Sequence, residues 1–360
     1  MNIGLIGLRK SGKTTIFNAL TGRAEEVSEY VTQKMEPNMA VVDVLDPRVT
    51  ELSAMYQPKK TVYANIEVVD FAGLSAGAAE HGVFSGEAMA RVKTTDALAI
   101  VLRNFADPVV DETYGAPNPT ADVESITTEL ILADQIVAER RLERIRSDLK
   151  RGKKTPTLAA EEKTIERVVA RLNDGLPLAG IELTEDENRL ISGFQFVSAK
   201  PVFVVLNSSE DRYGRSAEFI ESLAGRHDVV EFAGKFEMEL TNIDDEDERQ
   251  VFMDDIGITE SAISRLTTFA YEKLGYISFF TVGSDEVRAW TIRVGESALD
   301  AAGTIHSDLA RGFIRAEVFS YEDVINLGSE KAVKEKGKFR LEGKSYVVHD
   351  GDILHVRFSV

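Results

Sequence analysis

The residues best suited to chemistry lie near the start of the chain, from Gly7 to Thr14. Their order, Gly-Leu-Arg-Lys-Ser-Gly-Lys-Thr, fits the pattern G-x-x-x-x-G-K-[ST]. Glycines in such a loop let backbone N–H groups turn inward around phosphate oxygens. In this chemistry Lys13 reaches the β- and γ-phosphates, and the Thr14 hydroxyl is a ligand of Mg²⁺. The sequence therefore predicts a phosphate-binding loop for ATP or GTP.

A second motif, Asp70-Phe71-Ala72-Gly73, fits D-x-x-G at the end of an apolar run. Asp70 is expected to hold Mg²⁺ through water, and the Gly73 N–H to sense the γ-phosphate. Alone the motif is weak, and on the next strand after a phosphate loop it is strong. An ordinary aspartate at a strand end is the alternative.

A third motif, Asn207-Ser208-Ser209-Glu210, follows the apolar run VFVVL. GTPases carry N-K-x-D at this place, where the aspartate accepts hydrogen bonds from guanine. Here Ser208 replaces the lysine and Glu210 replaces the aspartate, which weakens the case for guanine. An Asx turn after a strand is the alternative.

The elements that position these motifs are short apolar runs rich in valine and isoleucine, as in a sheet buried on both faces. We predict strands over 2–7, 62–70, 97–103 and 202–206, with helical patterns between them. This alternation predicts an α/β domain with a mostly parallel sheet.

Two regions depart from that alternation. Residues 123–193 show apolar residues at helical spacing around a basic turn, Lys150 to Lys154, and predict an inserted helical hairpin. The last part is rich in short β-like runs, FFTVG, VRAWTIRVG, FIRAEVFSY, KSYVV and ILHVRFSV. The predicted domains are a nucleotide-binding domain over 1–122 and 194–276, the hairpin over 123–193, and a β-grasp-like domain over 277–360.

Composition narrows the function. The 360 residues include 42 basic and 60 acidic ones, a formal charge of -18, which argues against broad non-specific nucleic-acid binding. The absence of cysteine excludes disulfides and thiolate metal sites. No apolar run approaches the ~20 residues of a membrane helix. We expect a cytoplasmic protein that has no membrane partner.

The whole chain resembles the YchF / Obg-like ATPase family, a branch of the translation-factor class of GTPases. The resemblance is carried by IFNALTG after the phosphate loop, DFAGL at 70–74, TELILAD at 128–134, NSSED at 207–211 and FMDDIGI at 252–258. Its most specific part is the C-terminal series EVRAWTIRVG, AAGTIHSDLARGFIRAEVFSYED and RLEGKSYVVHDGD. That series is similar to the family's TGS domain, a ubiquitin-like β-grasp module.

The resemblance implies a G domain, a helical insert and a TGS domain, together with association with ribosomes and stress responses. It implies ATP in preference to GTP, since the family carries N-x-x-E, matched by Asn207 and Glu210. It implies slow hydrolysis, because Leu74 stands where GTPases have a catalytic glutamine. The family's second base-loop segment is matched to Phe232–Lys235. Ser198-Ala199-Lys200 has the letters of the SAK motif of GTPases, but it precedes the strand that leads to the base loop and is not expected to bind the base.

Three positions depart from the family pattern. Lys10 stands where an asparagine helps to hold a monovalent cation, and we hypothesise that its ammonium takes the cation's place; a solvent-facing lysine is the alternative. Lys34 replaces the switch threonine, and Thr32 lies two residues away. The loop from Asp107 to Tyr114 lacks the family's histidine, which leaves His81 as an uncertain substitute.

The predicted catalytic residues are therefore Lys13, Asp70 and Gly73, with Lys10 and His81 uncertain, and Thr14 and Asp70 are the predicted Mg²⁺ ligands. The predicted nucleotide-binding set is Arg9, Lys10, Ser11, Gly12, Lys13, Thr14, Thr15, Asn207, Glu210, Ala233 and Gly234.

These residues predict a slow, Mg²⁺-dependent ATPase that acts on a ribosome- or RNA-containing partner, as a monomer. A nucleotide-gated adaptor with little hydrolysis and a GTPase are the alternatives. The partner is expected to meet the helical insert and the TGS-like domain, whose basic residues are Lys331, Lys334, Lys336, Lys338, Arg340 and Lys344.

Overall fold

The computed structural model describes residues 1–22, 38–71, 87–243 and 245–359. Within these ranges the strands are β1 (Asn2–Ile6), β2 (Asn38–Val44), β3 (Lys60–Val62), β4 (Ala64–Asp70), β5 (Ala97–Asn104), β6 (Val202–Ser208), β7 (Asp228–Phe232), β8 (Tyr276–Thr281), β9 (Glu286–Arg293), β10 (Phe313–Ser320), β11 (Arg340–Glu342) and β12 (Asp352–Phe358).

The helices of the same ranges fall into three groups along the chain. Those before the predicted hairpin are α1 (Lys13–Thr21), α2 (Pro47–Tyr56), α3 (Glu87–Thr94) and α4 (Pro108–Tyr114). Those from the hairpin to the end of the nucleotide-binding region are α5 (Pro119–Lys150), α6 (Pro156–Asn173), α7 (Glu185–Ile191), α8 (Ala217–Leu223), α9 (Gly234–Leu240), α10 (Glu246–Asp255) and α11 (Ala262–Leu274). The C-terminal ones are α12 (Ala298–Ile305), α13 (Ser307–Arg311), α14 (Tyr321–Leu327) and α15 (Glu330–Glu335).

One compact unit comprises residues 2–40 and 67–262. Its sheet has the strand order β2-β4-β1-β5-β6-β7, and the pairs from β4 to β7 are parallel. The first seven residues of β5 are all buried, as a parallel strand covered by helices on both faces requires. This arrangement confirms the predicted α/β fold with a mostly parallel sheet, and it brings the carboxyl ends of β1, β4 and β6 to one edge.

The predicted hairpin consists of α5 and α6, joined at residues 151–155. Its apolar seam is buried and includes Leu142, Ile145, Ile165 and Val168. Arg141 reaches across to Glu161 at 2.7 Å in a bidentate ion pair. The prediction of two helices separated by a basic turn is confirmed.

The second compact unit comprises residue 1 and residues 41–66 and 263–360. Its mixed sheet has the order β11-β10-β12-β8-β9-β3. Phe279, Ala301, Phe313 and Leu354 lie in its core. Strand β3, which is distant in sequence, pairs in parallel with β9, and Lys60 lies opposite Glu286.

Two of the predicted strands are wrong in detail. The run 62–70 is divided at Tyr63, because β3 ends at Val62 and pairs with β9, whereas β4 begins at Ala64. The run KSYVV is not a strand: only Val347 forms an isolated bridge, to Ser297, and the ladder beside β10 is formed by β11. A partner strand more than 220 positions away decides the first case, and pairing of β11 with β10 decides the second; local patterning reports neither.

No helix among the described residues is long and apolar enough to cross a membrane.

Candidate nucleotide-binding site

The phosphate loop joins the end of β1 to the start of α1. Gly12 has φ 87° and Lys10 has φ 64°, so two of its residues have left-handed backbone conformations. A Cβ at Gly7 would lie 2.5 Å from the Val101 carbonyl oxygen, so only glycine fits that position. Gly12 supplies no side-chain cap to α1. The first N–H groups of this helix are therefore available to an anion.

Lys13 lies inside this loop, with only 7% of its surface exposed. Its ammonium donates to the carbonyl oxygens of Leu8, at 2.9 Å, and of Gly7, at 3.2 Å. Burial lowers the pKa of Lys13 to about 8, and the nearby Asp70 carboxylate opposes that shift. The ammonium is therefore held by the loop's own carbonyl groups at the place where the motif predicts phosphate.

Thr14 and Asp70 lie side by side although 56 positions separate them in the chain. The Thr14 hydroxyl donates to a carboxylate oxygen of Asp70 at 2.8 Å. Asp70 is brought there by β4, where it lies opposite Leu5 of β1. Mg²⁺ takes oxygen ligands, keeps several waters and needs only one or two protein groups. A hydroxyl beside a buried carboxylate therefore fits the metal that the motif predicts.

Asn207 connects the phosphate loop with the predicted base loop. Its side-chain amide donates to the Ser11 carbonyl oxygen at 3.1 Å and is 3% exposed. A Cβ added at Gly12 would lie 2.1 Å from its nitrogen, and one added at Gly234 would lie 2.5 Å from its oxygen. Three of the predicted segments, including the buried Ala233-Gly234 pair, therefore meet around this one side chain.

The other predicted residues divide by exposure. Ser11 is buried, and its hydroxyl has no hydrogen-bond partner among the described residues. Lys10 and Thr15 are partly buried, whereas Arg9 and Glu210 are exposed. Glu210 lies in the turn directly after β6, two residues beyond the strand's last residue, Ser208.

The segment Ser198-Ala199-Lys200 is part of a structural anchor and not of this site. Asp134 of α5 accepts hydrogen bonds from Val197 N–H at 2.9 Å and from Ser198 N–H at 2.7 Å. Lys200 donates to the backbone oxygens of Lys93 and Thr95. Its interpretation as an imitation of the GTPase motif is therefore consistent with the geometry.

Several predicted positions lie outside the described residues, namely Thr32, Lys34, Gly73, Leu74 and His81. Their roles stay predictions. The segment 107–114, predicted as a loop that lacks the family's histidine, is instead the helix α4, which Asp107 caps by accepting from the Val109 and Val110 N–H groups. Asp111 of this helix forms an ion pair with the buried Arg103 at 2.6 Å.

Sequence reasoning missed three residues that lie behind the base loop, namely Asn104, Ser216 and Glu231. Glu231 accepts hydrogen bonds from the Ser208 hydroxyl at 2.5 Å and from the Ser216 hydroxyl at 2.7 Å. Asn104 donates to both of those hydroxyls, at 2.8 and 3.0 Å. The available signal was one acidic residue inside the short apolar strand VVEF.

Comparison with known proteins agrees with this geometry. A family model described as a 50S ribosome-binding GTPase matches residues 2–138. A second model, YchF-GTPase_C, described as a protein of unknown function (DUF933), matches residues 276–359. Fold and site together define a nucleotide hydrolase of the P-loop class.

Similarity to full-length proteins narrows the class to a family. Ribosome-binding ATPase YchF from Bacillus subtilis (strain 168) is 36% identical and is aligned over 100% of both chains. The protein of that name from Pasteurella multocida (strain Pm70) is 37% identical over 99% of both. The structure of the Schizosaccharomyces pombe YchF GTPase is 32% identical, with a TM-score of 0.83 over 99% of this chain and 97% of that one. The chain belongs to the YchF family.

Proposed function

We propose that the chain binds ATP with Mg²⁺, hydrolyses it slowly, and uses the nucleotide to control binding to the ribosome. The convergence of Lys13, Thr14, Asp70 and Asn207 at the carboxyl edge of the parallel sheet carries the proposal. Relatives named ribosome-binding ATPases support the choice of ATP and of the partner. We also infer that the protein acts in the cytoplasm and as a monomer.

The base loop favours adenine over guanine. A guanine-specific loop needs an aspartate to accept from the guanine N–H groups, and this chain offers Glu210 instead. Ser208 points away from solvent, with 2% exposure, and its hydroxyl is engaged by Glu231. It therefore cannot take the place of the lysine side chain that GTPases use there.

In phosphoryl transfer these residues position charge and do little covalent chemistry. Lys13 exchanges the Leu8 and Gly7 carbonyl oxygens for phosphate oxygens, and the uncapped first turn of α1 contributes N–H donors. Thr14 and Asp70 would hold Mg²⁺, which neutralises the charge that develops between the β- and γ-phosphates. Slow turnover follows from Leu74, which cannot orient a water molecule as the glutamine of a GTPase does.

Calorimetry with Mg²⁺-ATP and Mg²⁺-GTP, together with single-turnover hydrolysis on the same sample, tests this function. We expect tight ATP binding, weak GTP binding and slow but measurable turnover. Tight ATP binding without turnover would make the chain an ATP-gated adaptor. Preference for GTP would make it a GTPase, and failure to bind either nucleotide would refute the proposal.

Lys13→Ala should abolish binding of both nucleotides, because it removes the ammonium that the Leu8 and Gly7 carbonyl oxygens hold at the predicted phosphate position. Lys163→Ala is the matched control: this exposed lysine on α6 forms no ion pair with any described residue. Equal loss in both variants would point to misfolding and not to the site.

We propose that ribosomal RNA binds to the tip of the α5–α6 hairpin, residues 140–154. This segment carries eight basic and two acidic residues, a net charge of +6 in a chain of -18. Arg141 and Arg146 face α6 and pair with its glutamates. Within the described ranges Arg144, Lys150 and Lys154 are exposed and form no ion pair, so their charge is available to phosphates.

The basic C-terminal segment is a weaker candidate. Lys338 pairs with Asp323, and Arg340 lies 3.5 Å from a carboxylate oxygen of Asp352. Lys334 lies over the Phe339 ring at 4.3 Å. Part of the segment's charge is thus already neutralised within the domain, and we assign it a secondary contact.

A further inference from the structure

We propose that Glu231 is a positioning residue for base recognition, and that it sets ATP affinity without touching the nucleotide. The inference rests on the proposed function, because it concerns the loop that we expect to read adenine. No motif points to Glu231; its contacts do.

The Glu231 carboxylate fastens both ends of the segment from Ser208 to Ser216. One oxygen accepts from the Ser208 hydroxyl, at 2.5 Å, and from the Ser216 hydroxyl, at 2.7 Å. The other accepts from the Gly214 N–H at 3.1 Å. A single side chain therefore binds the strand end, the middle of the turn and the residue that precedes α8.

Asn104 completes this cluster from the other side. It lies opposite Ser208 on the neighbouring strand β5. Its side-chain amide donates to the Ser208 and Ser216 hydroxyls at 2.8 and 3.0 Å, and its backbone carbonyl oxygen accepts from the Ser209 N–H at 3.4 Å. Each serine hydroxyl accepts a hydrogen bond from the amide and donates one to the carboxylate, so both hydroxyls serve as donor and as acceptor.

The position of Glu231 makes it suited to this task. Glu231 lies opposite Leu206 on β6, and the next residue, Phe232, lies opposite Asn207. The strand that carries Glu231 therefore also leads into Ala233 and Gly234, where Gly234 packs against Asn207. Both halves of the predicted base pocket are thus held by β7.

A carboxylate is needed because it only accepts hydrogen bonds. The Ser208 hydroxyl, the Ser216 hydroxyl and the Gly214 N–H all donate to it. In Glu231→Gln one oxygen becomes an NH₂ group, which faces donors and breaks the pattern while the side-chain shape is kept. Hydrogen bonds to an ionised acceptor are roughly twice as strong as neutral ones, so the loop loses order.

A loosened loop lowers the affinity for ATP, because the entropy cost of ordering the loop must then be met when ATP binds. The effect should be confined to the base, since the phosphate loop is held by Ser11, Gly12 and Lys13 on other elements. Inorganic tripolyphosphate, which has phosphates and no base, is therefore the probe that separates the two halves of the site.

The experiment compares Mg²⁺-ATP and Mg²⁺-tripolyphosphate binding by calorimetry in the wild type, Glu231→Gln and Glu221→Gln. Glu221→Gln is the matched control, on the exposed face of α8. We expect Glu231→Gln to weaken ATP binding about tenfold and tripolyphosphate binding less than about twofold, because only base-side ordering is lost. The control should leave both affinities unchanged.

The outcomes separate this inference from the proposed function. If the wild type binds ATP no more tightly than tripolyphosphate, base recognition itself fails. If the wild type prefers ATP and Glu231→Gln keeps that preference, or loses both ligands equally, the positioning role is refuted. Should Glu231→Gln fold poorly, Ser216→Ala removes one donor of the same cluster and must weaken ATP selectively.

Discussion

At the scale of single residues, the charge on Lys13 makes the nucleotide site dependent on pH. Burial lowers its pKa to about 8, so in the free protein the ammonium loses its proton above that pH. A bound triphosphate places several negative charges beside Lys13 and favours the protonated form. Binding at pH above 8 must therefore take up a proton.

This linkage predicts the direction of the pH dependence. ATP affinity should be constant from pH 7 to about 8 and then fall as pH rises, approaching about tenfold per pH unit while the bound lysine stays protonated. Calorimetry at pH 9 in two buffers of different ionisation enthalpy should show uptake of nearly one proton. Constant affinity between pH 7 and 9.5 would contradict the assignment of Lys13 to the phosphates.

Lys10 lies in a backbone conformation that suits asparagine better. With φ 64° it is one of three non-glycine residues with positive φ in the described ranges. Asparagine tolerates this region more readily than lysine. We expect Lys10→Asn to raise the free energy of unfolding by about 0.5–1 kcal/mol in urea titration. Lys163→Asn, inside the regular helix α6, should lower it slightly, and the same gain in both variants would refute the backbone argument.

The same variant tests the hypothesis that the Lys10 ammonium replaces a monovalent cation. Wild-type hydrolysis should be equal in sodium and in potassium, because the positive charge is covalently attached. Lys10→Asn should be slow in sodium and recover in potassium, whose ion would take the vacated position. Strong potassium activation of the wild type would rule the hypothesis out.

A residue of the site was predictable from the sequence where phosphate binding requires one residue type at one position of the loop. Gly7, Gly12, Lys13 and Thr14 follow from the sequence because phosphate binding demands those types at that spacing. Glu231 was not predictable, because its partners lie up to 23 positions away and depend on strand register.

At the scale of elements, α5 is fastened to the sheet by a buried carboxylate. Asp134 is 2% exposed and accepts three hydrogen bonds, from Val197 N–H, Ser198 N–H and the Ser198 hydroxyl. Burial raises the pKa of Asp134, whereas these donors oppose that shift. Its partners form the short turn directly before β6, the strand that ends at the base loop.

Asp134→Ala should therefore be among the most damaging changes outside the site. Two buried N–H groups would lose their acceptor, and each such loss costs about 1–3 kcal/mol. We expect the free energy of unfolding, measured in urea, to fall by at least about 2 kcal/mol. Glu143→Ala, on the exposed face of the same helix, should change it by less than about 0.5 kcal/mol.

Element prediction succeeded where burial is uniform and failed at the sheet edges. Strand β5 is apolar along almost all of its length and was predicted within one residue. Strands β2 and β7 were missed, because β2 alternates buried and exposed residues and only the last residue of β7 is buried. The prediction joined the end of β3 to β4 as one strand. It did so because β9, the strand with which β3 pairs, follows more than 220 positions later.

At the scale of the whole molecule, charge is distributed very unevenly. A chain of net charge -18 should repel polyanions, and yet residues 140–154 carry +6. An acidic chain with a local basic segment binds nucleic acid only where that segment reaches it. The apolar seam and ion pairs between α5 and α6 fix the shape of the hairpin that carries residues 140–154.

Ribosome binding should therefore depend on the hairpin tip and on salt. Arg144→Glu, Lys150→Glu and Lys154→Glu combined should weaken sedimentation with purified ribosomes and reduce the slope of log affinity against log salt by about 2–3, since each lost phosphate contact contributes about 0.7–0.9. ATP hydrolysis without ribosomes should be unchanged, because these residues lie outside the nucleotide site.

The control makes the same change of charge in the C-terminal segment, by combining Lys331→Glu, Lys336→Glu and Lys344→Glu. It should weaken ribosome binding less. If that control loses binding while the tip variant keeps it, the RNA contact belongs to the C-terminal domain, and binding that is independent of salt would exclude phosphate contacts by either segment.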